Sequence, residues 1–160
     1  MAIFLTQDEA DYLFDLEKIP LDKVTLNFPE TANKTSVMFT SLDKREKFIF
    51  DITRAYIKIN KITYQKRARK SFVLRRLDIN GSPHKNPEVE DVPLEILEPY
   101  NAKEIACPHL HIYVEGFHHK WAIPAEIFFS DLNNSFDNIL KDFFKYCNVT
   151  NIPPIQNVLF

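Results

Sequence analysis

The chain has 160 residues, of which 45% are hydrophobic, 13% aromatic and 26% charged, and its formal net charge is −2. These values predict one globular domain over residues 1–160, and the near-neutral charge by itself indicates no partner. Two cysteines are too few for a disulfide framework, and the sequence shows neither a signal peptide nor the roughly 20-residue apolar run of a membrane span. We therefore expect a cytoplasmic protein that does not associate with a membrane.

Two amphipathic segments predict helices near the ends of the chain. Thr6 and Glu9 have the spacing of a capping box, and apolar residues at helical spacing follow, so we expect a helix over residues 7–18. A second pattern with a period of 3.6 residues predicts a helix over residues 136–147. The apolar tail over residues 152–160 is expected to pack on the body of the protein or in a homodimer interface.

Alternating apolar and polar residues predict strands in the first half of the chain. No glycine or proline lies between residues 30 and 80, so the turns there depend on Asn, Asp, Ser and Lys. Residues 47–64 fit either two strands or one long strand with a bend. The last strand of this half is apolar on both sides of its middle, which is typical of a central strand. The predicted strands are 24–28, 36–40, 47–55, 56–64 and 71–79.

The second half of the chain predicts a loop followed by a hairpin. Residues 82–107 are acidic and contain prolines, which favours an irregular loop with one short strand at 94–97. A strand over 108–116 and a return strand over 121–123 then form the hairpin. The fold class that follows is α+β, with a twisted, mostly antiparallel sheet flanked by an N-terminal and a C-terminal helix. A barrel-like sheet is the alternative.

All five histidines lie between His84 and His119, and two of them fall in the first strand of this hairpin. Because side chains alternate between the two faces of a strand, the polar residues here share one face and the apolar residues the other. The apolar face is expected to seal a core, and the polar face predicts a site for proton transfer or metal binding. The polar face carries His109, His111, Tyr113 and Glu115. The adjacent His118 and His119 are expected to be exposed and inert.

Two known site patterns are similar to this segment, and both are incomplete. His-x-His followed by Glu115 resembles the first metal motif of cupins, but the chain has only Gly81 and Gly116 and lacks the second, glycine-containing motif. The histidine triad of nucleotide hydrolases has its nucleophilic histidine where Tyr113 stands. The sequence therefore predicts no metal or other cofactor, and a metal-dependent hydrolase is kept as an alternative.

Metal-free cleavage of RNA is the chemistry that the polar face favours. One group must remove the 2′-OH proton, another must protonate the leaving oxygen, and cations must stabilise the phosphate charge. Histidine suits both proton roles because its pKa lies near neutrality. The predicted catalytic set is His109 and His111 for protons, Arg76 for phosphate, Tyr113 and Glu115 to orient the histidines, and His84 from its loop. A strand whose histidines are only structural is the other interpretation.

A basic stretch precedes the histidine strand. No acidic residue occurs between residues 52 and 77, which hold nine of the 20 Lys and Arg residues. Arg75 and Arg76 lie on alternate faces of an apolar strand, so at least one is expected to be buried beside Asp78 or Glu115. This stretch predicts a phosphate-binding surface, a solvated hairpin or a contact with an acidic protein, and its aromatic residues Tyr56 and Tyr64 can stack on unpaired bases. The predicted nucleic-acid contacts are Lys66, Arg67, Arg69 and Lys70 at the hairpin tip, and Arg75.

Two segments resemble a family of small uncharacterised bacterial proteins that are often found near mobile elements. Residues 76–87 read Arg-Leu-Asp-Ile-Asn-Gly-x-Pro-His-x-Asn-Pro, and residues 108–122 contain Pro-His-Leu-His-Ile-Tyr-x-Glu-Gly and Trp-Ala. The resemblance carries no activity, and its setting implies phage defence, counter-defence or a toxin–antitoxin system. It also groups one constellation of residues: Arg76, Asp78, His84, His109, His111, Tyr113, Glu115 and Trp121.

The leading functional prediction is a toxin-like, metal-independent endoribonuclease whose partners are RNA and an antitoxin or defence-system protein. The main alternative is a module without enzymatic activity that binds nucleic acid or a nucleoprotein complex through the basic hairpin. A metal-dependent hydrolase is the third.

Overall fold

The computed structural model describes residues 4–27, 33–65 and 68–156. It contains the two expected helices, α1 (Gln7–Asp15) and α2 (Phe136–Tyr146). The capping box at the start of α1 is confirmed, because the Thr6 hydroxyl accepts the Glu9 backbone N–H and the Glu9 carboxylate accepts the Thr6 backbone N–H. The helix ends before residue 18 because Leu16 turns the chain into an extended conformation. In the described residues, neither helix has the length and apolar character needed to span a membrane.

Strands make up most of the remaining regular structure. Residue bounds are as follows: β1 (Lys18–Pro20), β2 (Leu26–Asn27), β3 (Thr35–Ser41), β4 (Lys47–Ile52), β5 (Tyr56–Gln65), β6 (Ala68–Asp78), β7 (His84–Lys85), β8 (Glu104–Ile105), β9 (His109–Val114), β10 (His118–Pro124) and β11 (Ile155–Gln156).

One antiparallel sheet dominates the fold. Its strand order is β1-β3-β4-β5-β6-β9-β10, and two small pairs, β2 with β11 and β7 with β8, lie outside it. Since β1 and β10 lie at opposite edges, the described sheet is open, and the barrel-like alternative is not observed. The α+β class, with a mostly antiparallel sheet between an N-terminal and a C-terminal helix in the chain, is confirmed.

Both helices pack on the same face of this sheet. The rings of Phe39 and Phe50 contact Phe144 of α2, with centroid distances of 5.6 and 5.0 Å. Phe14 of α1 contacts Tyr146 of α2 at 5.1 Å. The four phenylalanines are buried, so an aromatic core occupies the helix face of the sheet and leaves the other face to polar residues.

Polar side chains from four strands form a row on this other face. In antiparallel strands, residues directly opposite each other point to the same face. The register aligns one residue from each of β4, β5, β6 and β9: Asp51, Lys58, Arg76 and His111. Asp78 and His109 form the neighbouring pair on the same face. We call this the site face.

The segment between β6 and β9 differs from the prediction. Residues 94–97 form no strand, and a 3₁₀-helix runs over Glu95–Tyr100 instead. The Leu97 N–H donates to the Leu94 carbonyl at 3.0 Å, which is the i→i+3 hydrogen bond of a 3₁₀ turn rather than a bond to another strand. The short strands β7 and β8 pair within the predicted loop and bring His84 opposite Ile105.

The other boundaries follow the sequence pattern closely. Residues 47–64 form two strands, because the Thr53 N–H donates to the Tyr56 carbonyl at 2.9 Å and closes a tight turn. As predicted, β6 is central, and β9 and β10 form a hairpin. The expected strand over 24–28 is present only as β2, and Phe28 lies outside the described residues. The tail packs on the body through β11, and its last four residues lie outside the described ranges.

Candidate functional site

The adjacent strands β6 and β9 bring the candidate site together. Their register places Asp78 opposite His109 and Arg76 opposite His111. One carboxylate oxygen of Asp78, Oδ2, lies 3.1 Å from Nε2 of His109 and 3.3 Å from Nε2 of His111. The two histidines are only 1% and 6% exposed. A carboxylate and two imidazoles therefore converge at one nearly buried point.

Backbone carbonyls fix the orientation of both imidazole rings. Nδ1 of His109 lies 3.0 Å from the Ile105 carbonyl oxygen, and Nδ1 of His111 lies 2.9 Å from the His119 carbonyl oxygen. A carbonyl oxygen only accepts hydrogen bonds, so each Nδ1 carries the proton and donates it. In a neutral imidazole the other nitrogen then holds a lone pair, and both Nε2 lone pairs face the Asp78 carboxylate.

This arrangement calls for positive charge between the three groups. Two lone pairs and a carboxylate repel one another unless protons or a cation lie between them. Ligand bonds of about 2.0–2.1 Å at octahedral or tetrahedral angles separate ligand atoms by about 2.8–3.4 Å. The two Asp78 distances fall in that interval, and the ligand atoms of all three residues lie within 4.8 Å of one another. Asp78, His109 and His111 therefore fit a divalent metal ion.

Arg76 supports the same carboxylate from the other side. Its Nε donates to Oδ1 of Asp78 at 2.6 Å, and its guanidinium lies 4.2 Å from the centroid of the Tyr56 ring. Burial raises the pKa of Asp78, but hydrogen bonds from His109 and His111, which require a proton on each Nε2, and the hydrogen bond and charge of Arg76 outweigh burial and hold that pKa well below its usual range. The contribution of Arg76 lowers the pKa of Asp78 whether or not the two Nε2 atoms carry protons. Asp78 is therefore ionised at neutral pH. Asp78, one of the two carboxylates expected beside a buried arginine, therefore pairs with Arg76, but this side chain is 31% exposed and lies on the site face rather than toward the core.

Two further histidines border the cluster. Nε2 of His84 donates to the Lys120 carbonyl at 2.6 Å, and its ring centroid lies 4.6 Å from that of His111, so His84 lies beside the cluster. Burial, and then the charges of His111 and Arg76, lower the pKa of His119 to about 4. The prediction of exposure is confirmed for His118 but wrong for His119, because the bulge between β9 and β10 leaves His119 half-buried beside His111.

Tyr113 and Glu115 connect β9 to the start of α1. The Tyr113 hydroxyl donates to the Leu5 carbonyl and accepts the Leu5 N–H, both at 2.8 Å. The Glu115 carboxylate accepts the Gln7 N–H at 3.3 Å. Among the described residues, these groups bond to the helix terminus rather than to His109 or His111, and the Ile105 and His119 carbonyls orient the two imidazoles instead.

Arg75 and Trp121 belong to the helix face. Nε of Arg75 donates to the Tyr146 hydroxyl at 3.0 Å, and its guanidinium lies 3.9 Å from the Phe14 ring centroid. Arg75 and Arg76 thus lie on alternate faces as predicted, and Arg75 is remote from the cluster. Trp121 is fully buried opposite Ile112.

The basic hairpin is described only in part. Lys66 and Arg67 lie outside the described residues. Arg69 and Lys70 are exposed at the start of β6, and Arg69 lies directly opposite Tyr64 of β5. Arg69 and Lys70 therefore lie at the far end of the β5–β6 hairpin from the histidine cluster.

These features define an α+β protein with an open antiparallel sheet and an Asp–His–His cluster on the face opposite its helices. A model for a protein family described as a family of unknown function, DUF6978, matches residues 5–149. The chain belongs to this family, which agrees with the predicted resemblance to an uncharacterised family. No curated protein and no solved structure matches the chain.

Proposed function

We propose that Asp78, His109 and His111 bind a divalent transition-metal ion and that the protein is a metal-dependent hydrolase of phosphate esters. One observation carries this proposal: both histidines donate Nδ1–H to backbone carbonyls and direct Nε2 at one ionised carboxylate. In metal sites, hydrogen bonds from the second ring nitrogen orient histidine ligands in this way. Imidazole with carboxylate suits zinc, manganese or iron.

Burial of the two histidines favours metal binding over direct proton transfer. A general acid or base must come within hydrogen-bond reach of the substrate, and the His109 side chain is 1% exposed. A metal ion held by three protein ligands keeps positions for water and substrate, and it lowers the pKa of the bound water toward neutrality. A water molecule bound to the ion could then contact a substrate, although the buried imidazoles themselves could not.

Arg76 favours an anionic substrate. Its side chain is 31% exposed, and its Nε is held by Asp78, so the guanidinium extends beside the proposed metal ion. Guanidinium groups recognise phosphate oxygens through paired hydrogen bonds and stabilise charge that develops during phosphoryl transfer. A phosphodiester would thus meet a Lewis acid and a fixed cation at the same place.

The metal-free endoribonuclease predicted from the sequence remains the second candidate. The distances between Asp78 and the two Nε2 atoms also suit hydrogen bonds, if both imidazoles carry two protons. That protonation state would provide a proton donor for a leaving group. The toxin-like or defence role, the antitoxin partner and the cytoplasmic location are proposed from the sequence resemblance and composition alone.

Hydrolysis assays with controlled metal content test the proposal. A single-stranded RNA and bis-p-nitrophenyl phosphate would be incubated with parent protein, with chelator-treated protein, and with chelator-treated protein resupplied with zinc or manganese. We expect activity to fall at least 100-fold on chelation, to return with metal, and to be absent in Asp78→Asn and His111→Gln. His118→Asn is the matched control, because His118 is exposed at a positive φ that asparagine tolerates.

Two results would overturn the metal-dependent mechanism. One is cleavage of RNA at the parent rate by chelated protein, lost in His109→Ala and His111→Ala, which would establish the metal-free ribonuclease. The other is absence of hydrolysis of both substrates by protein loaded with metal.

A further inference from the structure

The site face continues along the β5–β6 hairpin away from the histidine cluster. The two helices pack on the opposite face, and β5 and β6 are paired from Tyr56 opposite Asp78 to Gln65 opposite Ala68. Leu74 is an extra residue in β6, because Ile59 pairs with Arg75 and Asn60 with Val73. Beyond this bulge the two strands are again paired one residue to one, so each residue on β6 points to the same face as its partner on β5.

Beyond the bulge, Tyr64 and Arg69 lie on the site face. On β5, side chains two residues apart share a face, so Tyr64 points to the same side as Lys58. Arg69 lies directly opposite Tyr64. The Tyr64 residue is 71% exposed, which makes its ring available for stacking. From Lys58 to Tyr64, β5 spans about 20 Å at roughly 3.3 Å per residue.

A second aromatic residue with cations beside it lies next to the proposed metal site. The Tyr56 ring has the Arg76 guanidinium 4.2 Å and the Lys58 ammonium 5.7 Å from its centroid. Lys58 is oriented by Asp51, whose carboxylate lies 3.9 Å from its Nζ and also accepts from Ser36 and Asn60. The site face thus repeats one combination, a tyrosine with a cation, at both ends of the hairpin.

We propose that this face binds single-stranded nucleic acid, with bases near Tyr64 and Tyr56 and phosphates near Arg69, Lys58 and Arg76. The inference deepens the proposed function, on which it rests, by naming the polymer whose phosphodiester reaches the metal centre. Aromatic side chains stack on unpaired bases without regard to sequence, and spaced cations follow the backbone. A duplex hides its base faces, so the exposed ring of Tyr64 favours a single strand.

Binding to a fluorescent 12-nucleotide oligo-uridine, measured by anisotropy over a range of salt, tests this inference. The Asp78→Asn variant with chelator present serves as the parent background, so that neither metal binding nor hydrolysis affects the result. We expect Tyr64→Ala to weaken binding about 5- to 100-fold. We expect Arg69→Glu to weaken it about tenfold or more and to reduce the slope of log affinity against log salt by about 1.

Matched controls come from the helix side of the molecule. Tyr12→Ala removes a tyrosine that is 63% exposed on α1, and Lys141→Glu reverses an exposed charge on α2. Both should bind like the background. An oligo-thymidine of equal length separates RNA from DNA as the source of the strand, and loss of binding to either strand in the two test variants supports the inference.

Unchanged affinity in Tyr64→Ala and Arg69→Glu would overturn the inference, as would tighter binding of a duplex than of a single strand. Because the measurement is made without metal, such a result would leave the proposed metal centre standing. Conversely, loss of the metal centre would leave strand binding intact.

Discussion

At the scale of single residues, Asp78 has the decisive position because one carboxylate serves three partners. Oδ1 accepts from Arg76, and Oδ2 faces Nε2 of both His109 and His111. The low pKa of Asp78 keeps this carboxylate charged at neutral pH. A permanent negative charge beside two imidazole lone pairs is the electrostatic basis for binding a cation.

Removing the guanidinium should separate catalysis from metal binding. In Arg76→Gln we expect kcat/KM for a phosphodiester to fall about 100-fold, the usual effect of losing one group that stabilises developing negative charge. Metal content should not change, because Arg76 contacts only the Oδ1 side of Asp78. Arg45→Gln, at an exposed turn position, is the control for loss of one arginine. Joint loss of metal and activity in Arg76→Gln would contradict this division of roles.

Because of Lys18, we expect the free energy of unfolding to increase as the pH rises above about 8. Its buried ammonium donates to the carbonyls of Phe14, Leu16 and Cys147, near the C-terminal ends of both helices. Burial lowers the pKa of Lys18 from 10.5 to about 8. Between these two pH values the unfolded chain binds more protons than the folded protein, so this group adds stability as pH rises through that window.

Urea unfolding of the parent and Lys18→Met at pH 7.5 and pH 10 tests this dependence. The free energy of unfolding of the parent, relative to the variant, should increase by up to about 3 kcal/mol between the two pH values. A difference that stays constant, or that decreases at pH 10, would show that the Lys18 pKa is not lowered in the folded protein.

Residue patterns in the sequence predicted part of this site. Period-two alternation is a local property, so it correctly placed His109 and His111 together and separated Arg75 from Arg76. The contact of Asp78 with the histidines depends on the register between strands 31 residues apart, which no local pattern contains. The local pattern that could have placed Asp78 in the site is its spacing of two residues from Arg76, which puts both side chains on one face of the strand.

At the scale of elements, the segment between β6 and β9 is fixed to the sheet edge by Asn86. Its buried side chain donates to the carbonyls of Ala122 and Tyr100 and accepts the Ala122 N–H. It thereby satisfies backbone groups on the outer edge of β10. The same segment supplies the Ile105 carbonyl that orients His109, so its anchoring bears on the site.

Asn86→Ala should lower the free energy of unfolding by about 2–4 kcal/mol, because it leaves buried backbone groups of β10 without partners. Metal affinity should fall as well, since the Ile105 carbonyl is no longer held in place. Chemical denaturation and metal titration measure the two effects. The control is Asn133→Ala, at an exposed position. A stable Asn86→Ala protein with parent metal affinity would refute the anchoring role.

For Tyr113, unlike Asn86, we expect a substitution to lower stability without changing metal affinity. Tyr113→Phe removes both hydrogen bonds to Leu5 and should destabilise the protein by about 1–2 kcal/mol. Metal content and hydrolysis should stay at parent values in thermal and kinetic assays, because the hydroxyl bonds to the start of α1. If activity fell in a variant of unchanged stability, the orienting role predicted from the sequence would be restored to Tyr113.

Most elements were predictable because their patterns are local. The capping box of α1, the hairpin of β9 and β10 and the central strand β6 all follow from periodicity and turn residues. The strand expected at 94–97 was wrong because a local hydrogen bond from Leu97 to Leu94 forms a 3₁₀ turn, and apolar spacing alone does not distinguish the two structures.

At the scale of the whole molecule, one face of the sheet carries the residues that stabilise the fold, and the other carries the residues of the proposed site. The helix face buries the aromatic core and both helices, and the site face carries the histidine cluster and the tyrosine–cation pairs. Neither the strand order, in which β6 lies between β5 and β9, nor this division could be derived from the sequence, because both depend on pairing between distant segments.

The metal content of protein purified without added metal or chelator tests the central claim most directly. We predict one divalent transition-metal ion per chain in the parent and in His118→Asn, and less than a tenth of that in Asp78→Asn. Absence of bound metal from the parent, together with no gain in its thermal stability on addition of zinc, manganese or iron, would contradict the account.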